Sequence, residues 1–251
     1  MTRIISVLNF KGGTGKTTTV VNLGMALALR GFRVLAIDLD HQGSLAKWLG
    51  VPTPLTMAEV LLGQAEWPDA VQRARTRFDV LPSDRRLADA QETLIQRHAS
   101  PNILESRLRG ITGAGYDFIF LDCAPSINFL AEAALYFSKE VFIPISMEFL
   151  ALVGAREVII EILRARRLFS SHTARISLVI PSFYDARHAK SHQTLRMLEE
   201  YFPGIVSNPI RATVRLSEAP GHQQTIFEYD PKGPGSQDFA ELAERVIRNE
   251  H

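Results

Sequence analysis

Cysteine is almost missing from this 251-residue sequence, which carries only Cys123. One thiol closes no internal disulfide and cannot give a zinc site or cluster several thiolates from a single chain. A symmetric dimer sharing a metal at Cys123 is the one thiolate arrangement left, beside the plainer role of a small buried apolar side chain at a strand end. Long apolar runs are missing too, and none approaches the roughly 18 residues a membrane-spanning helix needs. The first apolar stretch, Ile4 to Phe10, is shorter than a secretory core and runs straight into a glycine-rich loop, so no removable signal is expected and the protein should stay in the cytoplasm. Nor is there an excess of either charge. The formal net charge is +1, so any nucleic-acid surface must come from local clustering. No repeat with a period of about 20 to 50 residues and no low-complexity tract is present, which argues against solenoids and linkers.

What the sequence does have is a 46% hydrophobic, 22% charged composition, ordinary for a globular chain. Its length fits one large domain, 1–251, because single cores stop growing near about 250 to 300 residues. Apolar runs recur at Ile4–Phe10, Val34–Ile37, Phe78–Leu81, Phe118–Leu121, Val141–Ile145 and Ile176–Ile180. Segments of helical periodicity lie between most of them, at Thr17–Leu29, Ile103–Ile111, Leu150–Phe169 and Ser191–Tyr201, with a final one at Gln237–Asn249. Strands alternating with helices predict an α/β fold of the P-loop nucleotide-hydrolase type, a mostly parallel twisted sheet with helices on both faces. The proline-bearing stretches Gly50–Pro68 and Asn208–Gly235 read as an excursion over the surface and an irregular connection. Ligands in such folds bind at the carboxyl ends of the strands.

The first strand leads into Lys11-Gly12-Gly13-Thr14-Gly15-Lys16-Thr17-Thr18, and a helical run follows. Strand, glycine loop and helix form the context of a phosphate cradle. Glycines let backbone N–H groups close on phosphate oxygens, and the helix N-terminus adds about half a positive charge. Lys16 is placed to reach the β- and γ-phosphates, and the Thr17 hydroxyl to ligate Mg²⁺. ATP and Mg²⁺ are therefore the expected cofactors. Two acids, Asp38 and Asp40, close the second strand; residues two apart share a strand face, so both can converge on one metal and water site. The apolar strand Phe118–Leu121 ends in Asp122, the pattern in which an aspartate holds Mg²⁺. Asn9 and Asn128 are weaker candidates for sensing the γ-phosphate.

Phe10 stands where the general phosphate-loop pattern has glycine, and Lys11 adds a second lysine. In this K-G-G-x-G-K-T form the sequence resembles the ParA/MinD family of deviant Walker ATPases, over nearly its whole length. The resemblance implies that Lys11 reaches across an ATP-dependent homodimer to the partner's phosphates. It implies that Asp40 orients the attacking water while Asp38 supports the metal. The family's D-x-D-P-Q-G segment has His41 in place of proline here, which loosens the backbone, and its D-x-P-P-S segment has Ala124. Val214-Arg215-Leu216-Ser217-Glu218-Ala219-Pro220 and Tyr229-Asp230-Pro231 are similar to ParA/Soj signatures. They place Arg211 and Thr213 near the adenine, although Ala212 departs from the usual P-R-N.

Further implications concern partners. The family branch implies binding to nonspecific DNA of the nucleoid in the ATP state, with Arg187, Lys190, Arg211, Arg215 and Lys232 as candidate contacts and Arg245 and Arg248 beside them. It also implies a ParB-like or cargo-adaptor activator protein and a cargo that is a chromosome, a plasmid or a protein assembly. The final segment, Asp238 to His251, carries three glutamates and lacks a basic amphipathic tail, so no membrane partner is expected. One cysteine does not suit the related iron-protein branch. The start of the chain so close to the loop leaves no room for an N-terminal operator-binding domain.

Overall fold

The computed structural model describes residues 2–147 and 174–248. Seven strands form one sheet: β1 Arg3–Val7, β2 Val34–Leu39, β3 Gln72–Arg75, β4 Phe78–Leu81, β5 Phe118–Cys123, β6 Glu140–Ser146 and β7 Arg175–Ser182. Their order across the sheet is β3-β4-β2-β5-β1-β6-β7, and every pairing is parallel except β3 with β4. The helices are α1 Lys16–Leu29, α2 Ser44–Leu49, α3 Met57–Leu62, α4 Trp67–Ala70, α5 Arg86–Gln96, α6 Ile103–Arg107, α7 Phe129–Phe137, α8 Ala189–Tyr201, α9 Val214–Glu218, α10 Ile226–Tyr229 and α11 Pro234–Arg248.

Continuous apolar strands are sorted by their two-residue period. Leu35, Ile37, Leu39, Ile119, Leu121 and Cys123 face one side, where α3, α5, α6 and α7 supply Met57, Leu61, Leu94, Leu104 and Leu130. Val34, Ala36, Phe118 and Phe120 face the other, where α1 and α11 supply Val21, Leu23, Leu27, Phe239 and Leu242. Both faces are dry, which is why β2 and β5 carry no exposed residue. α1 crosses from β1 to β2 on one face and α7 from β5 to β6 on the other, so the two crossovers run in opposite directions across the sheet. The crevice opened at such a point lies beyond the carboxyl ends of the strands.

Differences from the sequence expectations have local causes. The stretch Gly50–Pro68 is no surface excursion. Thr56 caps α3 in a reciprocal box, its hydroxyl accepting from the Ala58 amide at 3.2 Å while Glu59 accepts from the Thr56 amide at 2.8 Å. That cap starts a helix whose Met57 and Leu61 are fully buried. Helices α2, α5 and α7 were not expected, and the helix expected at Ile103–Ile111 ends at Arg107, a 3₁₀ turn occupying Ile111–Gly113. β3 is an edge strand whose arginines, Arg73 and Arg75, discourage further pairing. Asn208–Gly235 holds α9 and α10 instead of an irregular connection. The last helix begins earlier than expected, at Pro234. The expected helix Leu150–Phe169 lies outside the described residues.

Leu61→Ala should therefore cost about 2–5 kcal/mol, the range for an emptied core leucine. Urea unfolding of the unliganded protein measures it, and a loss below about 0.5 kcal/mol would mean the segment lies on the surface after all.

Candidate nucleotide-binding active site

The loop from Leu8 to Gly15 joins β1 to α1, and Gly15 stands at the helix N-cap with φ 91°. A Cβ there would lie 3.4 Å from Ser182 and 3.5 Å from the Phe183 ring, ordinary contacts, so it is the backbone angle that selects glycine. Asn9 is 3% exposed and serves as a brace: its Oδ1 accepts from the Lys11 amide at 3.0 Å and its Nδ2 donates to the Pro144 carbonyl at 2.7 Å. That ties the start of the loop to β6 and engages the carboxamide on both sides. Asn128 is likewise engaged, capping α7 by accepting from the Ala131 amide at 2.8 Å.

Lys16 is buried, and its ammonium donates to the Lys11 carbonyl at 3.2 Å across the loop. Burial lowers its pKa from the ordinary lysine value, against the opposing pull of Asp122. Thr14 also closes the loop onto the Lys11 carbonyl. Lys11, Gly12 and Gly13 are exposed at the mouth, while Thr17 and Thr18 are half-buried in the first turn of α1.

Beneath the loop two aspartates meet. β2 and β5 are paired in register, which sets Asp38 beside Asp122. Both are buried. Asp122 Oδ2 accepts from the Thr17 hydroxyl at 2.7 Å, while its Oδ1 is buried with no hydrogen-bond partner. An orphaned carboxylate oxygen next to a hydroxyl, at the foot of a phosphate cradle, suits a hard divalent cation that keeps phosphate and water as its other ligands. No group of three or more His, Cys, Asp or Glu able to hold a metal occurs among the described residues. Mg²⁺ fits such a sparse site, because it is held by one or two protein oxygens plus substrate phosphates.

Asp38 is placed differently from the expectation that it ligates metal. Its Oδ1 accepts from the Asp40 amide at 3.0 Å and its Oδ2 from the Leu45 amide at 3.1 Å, so it folds the 38–45 segment. Burial, with the Asp122 charge behind it, raises its pKa well above the usual carboxylate range. Burial likewise lifts Asp122 to about 7, against the opposing effects of the Thr17 hydroxyl and Lys16. Without a cation the pair holds a proton near neutral pH. Asp40 follows the strand and is nearly buried; its Oδ1 accepts from the Gln42 amide at 2.9 Å, and the exposed His41 ring lies 3.6 Å away. Cys123 is a buried thiol whose Sγ faces the Leu121 carbonyl at 3.7 Å, and burial raises its pKa; the shared-metal alternative has no support from its position in the core.

The segment 210–213 runs beside the end of β7. The Tyr184 amide donates to the Ile210 carbonyl at 2.9 Å, and the Ala212 amide to the Tyr184 carbonyl at 2.9 Å. Since Phe183 touches the loop at Gly15, this edge belongs to the same crevice. Thr213 caps α9 by accepting from the Leu216 amide at 3.1 Å. The Arg211 guanidinium is bound to Asp238 at 2.6 Å and to the Pro234 carbonyl at 3.2 Å, leaving few donors for a base or a phosphate. Other DNA candidates are also paired: Arg187 with Asp185 at 2.7 Å and Arg215 with Glu218 at 3.1 Å. Arg245 donates to the Val206 and Gly204 carbonyls, bracing α11. Lys190 and Lys232 lie at the start of α8 and in the turn before α11. Three of the five candidates, Arg187, Arg211 and Arg215, are thus each paired with an acid.

A family model described as AAA domain matches residues 2–173. The chromosome partitioning protein ParA of Caulobacter vibrioides is 36% identical over 99% of this chain and 95% of its own length. The sporulation initiation inhibitor protein Soj of Bacillus subtilis is 34% identical over 99% of this chain and 100% of its own. Among solved structures, cobyrinic acid a,c-diamide synthase from Mycobacterium smegmatis with bound ATP analog and magnesium superposes with a TM-score of 0.82 at 29% identity, covering 99% of this chain and 95% of that one.

The raised pKa of Asp122 has a measurable sign. Its native value of about 7 exceeds the unfolded value of about 3.9, so the native state binds more protons between these limits. The corresponding stabilisation is complete below about pH 4 and is lost as the pH rises through about 7. In thermal unfolding of the unliganded protein, Asp122→Asn should flatten that decline and raise the melting temperature at pH 8 by about 2–4 °C. Superimposable profiles for the two proteins would remove the buried-pair account.

Proposed function

Because the chain belongs to the ParA/MinD family of P-loop ATPases, we propose that it is an ATP-gated molecular switch that positions a chromosome or plasmid on nonspecific DNA. The observation that carries this reading is the constellation at the loop: Lys16 crossing it, and Thr17 bonded to an Asp122 whose other oxygen has no partner. The amides of residues 12–16 and the Lys16 ammonium bind the β- and γ-phosphates. Thr17 and Asp122 hold Mg²⁺, which when bound neutralises charge on the phosphoryl oxygens. Asp40 orients the attacking water, and Asp38 fixes the segment that carries Asp40.

Lys11, exposed at the loop mouth, reaches the partner's phosphates, so ATP becomes the adhesive of a homodimer. The dimer binds the DNA backbone without reading sequence, and an activator protein of the ParB kind accelerates hydrolysis and releases it. The full-length likeness to the ParA of C. vibrioides and the Soj of B. subtilis supports the positioning role. Because the arginine candidates are paired within one protomer, the DNA surface rests on Lys190 and Lys232 brought together from two protomers.

Two measurements test this reading. DNA retention should require ATP, and the logarithm of its affinity should fall linearly with the logarithm of salt concentration; retention that ignores ATP, or no retention, refutes it. Lys11→Ala should abolish ATP-dependent dimerisation in sedimentation velocity while leaving nucleotide affinity within about threefold. Asp40→Ala should instead keep the ATP dimer on DNA and lower turnover about 10²-fold or more, the scale for losing a group that acts in the transition state.

A further inference from the structure

A carboxylate that orients water is only as effective as the backbone that holds it, since a displacement near 1 Å can cost about 10²-fold in rate. Asp40 lies just past the end of β2, on a short turn closed by the Gly43 amide donating to the Asp40 carbonyl at 3.0 Å. A second donor reaches the same carbonyl from another part of the chain. The hydroxyl of Ser83, on the β4–α5 connection, donates to it at 2.9 Å. Ser83 is 1% exposed, so water is not there to replace it.

Ser83 is held on its far side as well. The Met57 amide at the start of α3 donates to the Pro82 carbonyl at 2.8 Å. Asp84 accepts from the Arg86 amide at 2.9 Å and from its guanidinium. Arg86 in turn reaches Glu59 at 2.6 Å and the Thr53 carbonyl at 3.1 Å. The contact with the turn is backbone to backbone: at Gly43, with φ 60°, an added Cβ would come within 2.5 Å of the Ser83 carbonyl oxygen. The turn bearing Asp40 is thus clamped between β2 and a connection that α3 anchors from behind.

We propose that Ser83 is a positioning residue for hydrolysis, fixing through the Asp40 carbonyl the direction in which the Asp40 carboxylate faces the water. The inference rests on the reading of Asp40 as the hydrolytic carboxylate. Among the described residues the Ser83 hydroxyl bonds only to the Asp40 and Asp84 carbonyls, so its contribution falls on turnover and not on nucleotide binding.

Steady-state ATPase kinetics on the full chain separate the two. Ser83→Ala should lower kcat about 5- to 50-fold with KM within about twofold, and Ser83→Thr, which keeps the hydroxyl, should recover most of the rate. In the Asp40→Ala background, Ser83→Ala should have no further effect on kcat, because the group it positions is gone. An unchanged kcat in Ser83→Ala alone overturns the proposal. So does an equal fractional loss in the Asp40→Ala background, or a Ser83→Thr protein as slow as Ser83→Ala with an unaltered melting temperature. If Asp40→Ala itself turns over at the wild-type rate, the reading of Asp40 fails, and that outcome is distinct from a fast Ser83→Ala protein beside a slow Asp40→Ala one.

Discussion

Two buried carboxylates side by side, Asp38 and Asp122, are the constraint around which the rest of the molecule is arranged. Parallel register places them on neighbouring strands, and burial in a low-dielectric interior penalises their charge. Each is managed differently. Asp38 spends both oxygens on backbone amides of the 38–45 segment, while Asp122 keeps one oxygen for Thr17 and leaves the other without a partner. Lys16, itself buried, contributes the nearest positive charge. The orphaned Asp122 oxygen is what a cation beside a polyphosphate would satisfy.

That arrangement depends on the sheet being covered on both faces. α1 packs on one side with α11, and the group α3, α5, α6 and α7 packs on the other. Contacts reach the site from both layers: Asn22 of α1 bridges the Thr18 carbonyl and the Ile226 amide of α10, and Ser83 bridges α3 to the turn bearing Asp40.

Much of this was legible in the sequence because it is local. A glycine loop needs its glycines, lysine and threonine in consecutive positions, and apolar strands in a two-sided sheet advertise themselves as uninterrupted runs. Asp122 was found because a strand ended in it. Helix α3 is masked in the sequence by the prolines of Gly50–Pro68, although the Thr56–Glu59 box starts it. The antiparallel edge strand was missed because Arg73 and Arg75 disguise it. Arg187 and Arg215 have the acids that engage them, Asp185 and Glu218, within three residues, whereas Asp238 is brought to Arg211 only by the fold.

The sequence by itself determined the phosphate loop, the alternating strands and helices and the identity of the acids near the loop, since each is encoded within a few neighbouring residues. Tertiary structure alone decided which acid keeps an open oxygen, that Asn9 braces the loop against Pro144, and that Ser83 holds the turn of Asp40. These depend on strand order. β4 lies beside β2 and β6 beside β1, and a hydrogen bond between residues 43 or 135 positions apart leaves no periodicity for the chain to display.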